Sequence, residues 1–339
     1  MLLLVLWLNQ AVCRCCIRLS SQDFLSLAQS VLRSLVHSCA TAPSQTLSGL
    51  SPEKFVSEVN GKPTALYTLV NANGMEVCVT NFGGRIVSVM VPDRNGEMKD
   101  VVLGFDNIAN YADKVNTPSD FGASVGRYAN RINKGQIVID GETIQLPQNN
   151  FGHCLHGGPD GWQYQVYDAV QPDNSTIVLT MESPDGDANF PGAVTAVVTM
   201  KVTDDNAIDI SYEAVTDKKT VINMTNHTYF NLSGDPTRRV DDHLMQIDAD
   251  NFTPVDFTFM TTGEILPVEG TPMDFRQPAA IGQDIKNFEF QQVKFGNGFD
   301  HNWCLNTAGD DTKVAARAWC PETGICLEVL TDEPGVQFY

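Results

Sequence analysis

Three turn dipeptides set the limits on what this chain can fold into. Asn73-Gly74, Asn95-Gly96 and Asp140-Gly141 each lie between two short runs of β-forming residues. Asn-Gly and Asp-Gly suit two-residue turns whose central residues need positive φ, so each pair predicts a hairpin. The predicted strands are Tyr67–Val70 with Met75–Val79, Ile86–Val91 with Val101–Leu103, and Ile137–Ile139 with Thr143–Leu146. Further runs of the same kind are Thr176–Met181, Ala193–Val202, Ala207–Ala214, Thr220–Met224, Leu244–Ile247, Val314–Trp319 and Ile325–Leu330. No helical pattern longer than two turns follows residue 55, and no strand–helix alternation or Gly-rich phosphate loop occurs. Many short strands with turns between them predict an all-β sandwich or barrel.

The charge is uneven along the chain, and this divides it in two. Residues 1–50 hold Arg14, Arg18 and Arg33 against Asp23, whereas 51–339 hold 19 basic and 40 acidic residues, a net of −21. So acidic a body is a poor partner for nucleic acid, which needs clustered Lys and Arg. No apolar run reaches the roughly 18–20 residues that span a bilayer. Residues 1–50 read as a leader or accessory segment. Phe24, Leu25, Ala28, Val31, Leu32, Leu35 and Val36 recur at helical spacing opposite Ser and Arg, and small residues follow at Ser38–Ala42. A targeting signal and a wrongly assigned start both fit this segment. Four of the nine cysteines lie in it, with no partners at zinc spacing. The five others are scattered among strand residues, which predicts free core thiols rather than disulfides.

Polar residues crowd five places where strand patterning would not put them. The first is Gly126-Arg127-Tyr128-Ala129-Asn130-Arg131-Ile132, whose guanidinium forks suit either a ligand or a structural ion pair. The second is Asn149–Gly158, where His156 precedes a Gly pair that would let backbone approach a ligand, and His153 stands at i, i+3. In Asn226-His227-Thr228-Tyr229-Phe230-Asn231-Leu232, strand alternation would put His227, Tyr229 and Asn231 on one face. Gly298-Phe299-Asp300-His301-Asn302 and Pro334-Gly335-Val336-Gln337-Phe338-Tyr339 complete the set.

Taken in order, these segments resemble the aldose 1-epimerase (galactose mutarotase) family. Asn81-Phe82-Gly83-Gly84-Arg85-Ile86, Leu155-His156-Gly157-Gly158, and Ser183-Pro184-Asp185-Gly186 with Phe190-Pro191-Gly192 add to the match, which runs over about residues 62–339. The resemblance implies a large antiparallel β-sandwich over 51–339 with the sugar in an open cleft. It implies interconversion of the α and β anomers of free aldohexoses such as glucose and galactose, with no metal or organic cofactor. The family's acid maps onto His227 and its second histidine onto His156. Its sugar-hydroxyl ligands map onto Arg131, Asp300 and Gln337, and Asn130 lies beside them. Trp162, by position, would offer a stacking surface. A monomer or weak dimer, no membrane partner, and a cytoplasmic location are the expectations, with export if residues 1–50 are a signal.

One departure stands out. The family's general base is a Glu downstream of the Gln-Phe-Tyr motif, and the sequence as given ends at Tyr339. Glu328 and Glu333 do not match that motif. The last strands and the base are therefore expected to be missing. A non-catalytic sugar-binding sandwich is the alternative function. An epimerase of phosphorylated sugars is disfavoured, because no extra basic cluster surrounds the motifs.

Overall fold

The computed structural model describes residues 2–6, 12–21 and 45–339, with side chains from 15–20 and 45–339. The helix predicted over residues 24–36 and the Ser38–Ala42 region lie outside the described residues.

Antiparallel pairing dominates, as the hairpin turns predict. Leu66–Val70 pairs with Glu76–Thr80, which pairs with Arg85–Pro92, which pairs with Met98–Asp100, making a four-stranded sheet. Gln136–Ile139 and Glu142–Gln145 close the hairpin at Asp140-Gly141, with φ positive at both turn residues. A nine-stranded sheet takes, in order, Asp168–Asp173, Thr176–Ser183, Val194–Val202, Ala207–Thr216, Val12–Ser21, Ile325–Thr331, Val314–Trp319, Leu244–Ile247 and Ala279–Ala280. A six-stranded sheet takes Tyr229–Phe230, Leu2–Leu6, Gly335–Phe338, His301–Cys304, Asn251–Thr253 and Leu266–Pro267.

Period-two patterning explains the layering. Along Thr176–Met181 and Val194–Met200 every second residue is buried, so Ile177, Leu179, Met181, Ala196, Val198 and Met200 build one wall of the core. Trp303 and Phe338 from the six-stranded sheet pack with Phe275 and Phe299 opposite, their ring centroids 5.2–6.3 Å apart. Burying four such aromatics contributes on the order of 2 kcal/mol each.

Part of residues 1–50 lies within the sheets. Val12–Ser21 runs between Ala207–Thr216 and Ile325–Thr331, with Cys15 opposite Ile210 on one side and Thr331 on the other. Its residues Cys15, Ile17 and Leu19 are buried on alternate positions. Leu2–Leu6 pairs with Gly335–Phe338, placing Val5 opposite Gln337.

Two predicted strands are displaced. Val101–Leu103 is not in the ladder. The Asp100 carboxylate accepts from the backbone N–H of Val89 and of Val102, and Met98–Asp100 pairs instead. Thr220–Met224 is irregular. Its Asn223 exchanges backbone hydrogen bonds with Arg127 and Ala129, which ties it to the loop beside the site. Among the described residues, Cys15, Cys78, Cys154, Cys304, Cys320 and Cys326 are free thiols.

Candidate active site

The segment from Gly126 to Arg131 is divided between scaffold and cavity. Arg127 is buried and donates from Nη1 to the carbonyls of Pro191 and Gly192, and from Nη2 to Ser183 Oγ and Pro184 O. It therefore fastens the Ser183–Gly186 and Phe190–Gly192 turns rather than a ligand. Arg131, four residues on, turns toward an open cavity of about 360 Å³. Its Nε donates to Asn150 Oδ1 at 3.1 Å and its guanidinium lies 5.1 Å over the Phe259 ring.

A reciprocal clamp holds His156 beside it. Asn130 N–H donates to His156 Nδ1 at 2.9 Å, and His156 N–H donates to the Asn130 carbonyl at 3.0 Å. Both residues have φ in the left-handed region, +62° and +52°. Non-glycine residues there carry strain that clusters at functional sites. Because Nδ1 accepts, the neutral ring carries its hydrogen on Nε2. Burial pushes the His156 imidazole down to about 3, so it stays neutral at ordinary pH and acts as a hydrogen-bond donor.

The expected strand Asn226–Leu232 is broken at Thr228. Asn226 Oδ1 accepts from both the backbone and hydroxyl of Thr228, leaving Thr225–His227 and Tyr229–Phe230 as separate strands. His227 and Tyr229 still reach the cavity, with rings 5.2 Å apart. Asn231 does not join them. Its amide donates to the carbonyls of Asp235 and Arg238. The His227 and His156 rings meet edge to face at 5.1 Å. Burial also holds the His227 imidazole below the ordinary histidine value, while the nearby Asp120 carboxylate acts against that.

The opposite wall comes from the six-stranded sheet. Gln337 Nε2 donates to Asp300 Oδ1 at 2.8 Å. Burial raises the Asp300 carboxyl, and Gln337 and Arg131 partly offset this. All six residues expected from the sequence, His156, His227, Asn130, Arg131, Asp300 and Gln337, thus line one cavity.

Two other expectations do not survive. Trp162 is buried in the core, where its indole fills the space a Cβ on Gly126 would need, so it presents no stacking face. Gly157 of the Gly pair serves close approach of the chain to itself. A Cβ on Gly157 would lie 2.3 Å from the Gly126 carbonyl oxygen. His153 is separate from His156. Its Nδ1 accepts from Lys134 N–H and its Nε2 meets Thr258 Oγ1.

Sequence reasoning missed Asp120, Asn150, Phe151, Phe259 and Tyr339 as cavity residues. Asp120 and Phe259 come from irregular loops, where no period marks a face. Tyr339 had a signal, since it follows Gln337 by two, just past the strand Gly335–Phe338. Asp120 and Asp300 are the carboxylates that line the cavity among the described residues, and no glutamate does. Glu328 is instead paired with Arg317.

Asp120, His156 and His227 each place one ligand-type atom within 4.8 Å of the other two.

An open cavity of a β-sandwich lined this densely by donors and acceptors suits a polyhydroxylated ligand. The family model for aldose 1-epimerase matches residues 65–339, and the chain belongs to that family of isomerases. The aldose 1-epimerase of Escherichia coli K12 is 37% identical over 281 residues, which cover 83% of this chain and 79% of that protein. The galactose mutarotase of Sus scrofa is 38% identical over 270 residues, 80% of this chain and 75% of its own. Among solved structures, the aldose epimerase homologue from C. elegans aligns with a TM-score of 0.74 at 30% identity, covering 81% of each chain. The galactose 1-epimerase from Lactobacillus acidophilus aligns at 0.69 and 31%, covering 78% of this chain and 75% of that one. The all-β antiparallel fold is that of these galactose mutarotase-like structures. No helix among the described residues is long and apolar enough to cross a membrane.

Proposed function

We propose that this protein interconverts the α and β anomers of free aldohexoses, glucose and galactose among them. The reaction opens the ring. The anomeric hydroxyl loses a proton to a base, the C1–O5 bond breaks, and the ring oxygen takes a proton from an acid. Rotation about C1–C2 and closure on the other face reverse the transfers. Only positioned proton carriers are needed.

The observation that carries this reading is the facing of two imidazoles, 5.1 Å apart, against Arg131, Asp300 and Gln337 across one cavity. In this reading His227 is the acid at the ring oxygen, and His156 donates a hydrogen bond where charge develops. Arg131, Asp300 and Gln337, with Asn130 beside them, hold the sugar hydroxyls, since a guanidinium and a carboxylate each make paired bonds to vicinal oxygens. In this reading water entering the open cleft takes the anomeric proton. That relatives carry the names aldose 1-epimerase and galactose mutarotase supports the assignment.

Polarimetry on freshly dissolved α-glucose and α-galactose tests it. The expected result is decay to equilibrium faster than buffer, with a loss of about 10²–10⁴-fold in His227→Ala, the usual contribution of a positioned acid. A rate equal to buffer with sugar binding retained would instead establish the non-catalytic sugar binder.

A further inference from the structure

His227 has a problem as an acid. Burial favours the uncharged imidazole, and an imidazole without its proton cannot protonate a ring oxygen. Something facing it must hold the proton in place.

Four titratable groups face His227. Tyr229 lies 5.2 Å away ring to ring, and burial keeps its phenol protonated. His156, at 5.1 Å, is a neutral donor. Arg85, from the strand Arg85–Pro92, is a buried cation and acts against a second positive charge. Asp120, from the loop before Ala123–Val125, is the one group of the four whose charge favours an imidazolium.

The geometry singles out the same residue. Asp120 Oδ1 and His227 Nδ1 are both buried and both lack a hydrogen-bond partner. Buried polar atoms are seldom left so, and two in one cluster mark a place built for something else. The Asp120 carboxylate and an imidazole nitrogen of His227 lie within 4.8 Å of each other. That keeps the two groups close enough for the carboxylate charge to act on the imidazole. The loop is also fixed. Arg85 Nη1 donates to the carbonyls of Ser119 and Phe121, which flank Asp120, at 3.1 and 2.9 Å. The Phe121 ring packs edge-on against Tyr229 at 5.1 Å.

We propose, resting on the mutarotase reading above, that Asp120 is the positioning residue of this site: it is the counter-ion that keeps the transferable proton on His227. In the form that transfers the proton, the pair is carboxylate and imidazolium. As C1–O5 breaks, its electron pair goes to O5, which takes the His227 proton. The O1–H electrons form the C1 carbonyl as that proton leaves to water in the cleft. His227 is then neutral and Asp120 still anionic. Closure returns both protons. The product anomer leaves the enzyme as it began.

The test is a histidine NMR titration of the full chain, beside kcat and KM against pH, for wild type, Asp120→Asn and Asp120→Glu. His227 is assigned by the resonance lost in His227→Ala. In Asp120→Asn the His227 titration should move down by about one pH unit or more. The alkaline fall in kcat should move with it, and KM should change less than about threefold. Asp120→Glu, which keeps the charge, should titrate near wild type. An unmoved His227 titration in Asp120→Asn overturns the proposal. Should Asp120→Asn lose its near-ultraviolet circular dichroism, Asp120→Ser supplies the neutral comparison, read in the same way. The titration needs no turnover. A wild type without mutarotase activity therefore refutes the function, and the imidazole shift still decides the role of Asp120.

Discussion

Replacing Asp300 by Asn separates sugar binding from proton transfer. Asp300 accepts from Gln337 at 2.8 Å, faces the Arg131 guanidinium, and lies across the cavity from His227 and His156. An Asn of the same shape keeps the bond to Gln337 but presents an amide dipole where an anion stood. Hydrogen bonds to a charged group contribute about 1.5–3 kcal/mol and those to a neutral one about 0.5–1.5. For two vicinal hydroxyls the loss is therefore about 2–3 kcal/mol, which is roughly 30- to 150-fold in binding. These contacts are made alike in ground and transition states, so KM should rise by that factor with kcat within about fivefold. The pH dependence follows with a definite sign. Burial raises the Asp300 carboxyl above the ordinary value of about 3.9. The binding anion is thus lost as pH falls through that raised value, and wild-type KM should climb as the buffer is acidified. Asp300→Asn, with nothing to titrate, should lack that climb. Initial rates by polarimetry across a galactose series at several pH values measure all three quantities. A hundredfold loss in kcat at unchanged KM would refute the reasoning and put Asp300 in the proton transfer.

Three other outcomes follow from particular contacts. Arg131→Lys should raise KM about tenfold at near-normal kcat, since an ammonium cannot make the paired bonds of a guanidinium; the same rate series checks it. Arg127→Met should lower stability by about 3–5 kcal/mol in urea unfolding, because it strands buried carbonyls of Pro184, Pro191 and Gly192 and the Ser183 hydroxyl. An unchanged urea midpoint would show those carbonyls to be solvated. Gly157→Ala should destabilise by about 2–4 kcal/mol on the same measurement, as φ is +78° and the new methyl meets the Gly126 carbonyl at 2.3 Å.

The fold was legible where one face of a strand is buried and the other is not. Leu244–Ile247 and Val314–Trp319 fall where the residue pattern puts them, because alternation registers a two-sided environment directly. The pattern failed where hydrogen bonds from side chains override it. Asp100 ends one ladder by capping two backbone amides, and Asn226 breaks another by binding Thr228. Neither event alters hydrophobic periodicity. The pairing of Val12–Ser21 with two distant strands was hidden for a different reason: it depends on partners near residues 210 and 328, and sequence pattern holds no record of pairing over that separation.

The site shows the same division at the level of single residues. Within one motif Arg127 is scaffold and Arg131 lines the cavity, and within another His153 is scaffold and His156 lines the cavity. Residue type cannot separate them, because a guanidinium or imidazole is equally suited to backbone carbonyls and amides or to a sugar. What separates them is the direction imposed by a few left-handed residues. Asn130 and His156 each take positive φ, and the clamp between them turns Arg131 and the His156 ring to the same side. The motif is therefore best understood as instructions for a backbone shape, with the chemistry carried by the minority of its side chains that the shape exposes. Asp120 is the converse case. It belongs to no motif and stands in a loop of turn formers, and it gains meaning only because Arg85 fixes that loop against His227. Residues of this kind are found by asking which buried polar atoms lack a partner, a question that only the folded chain can answer.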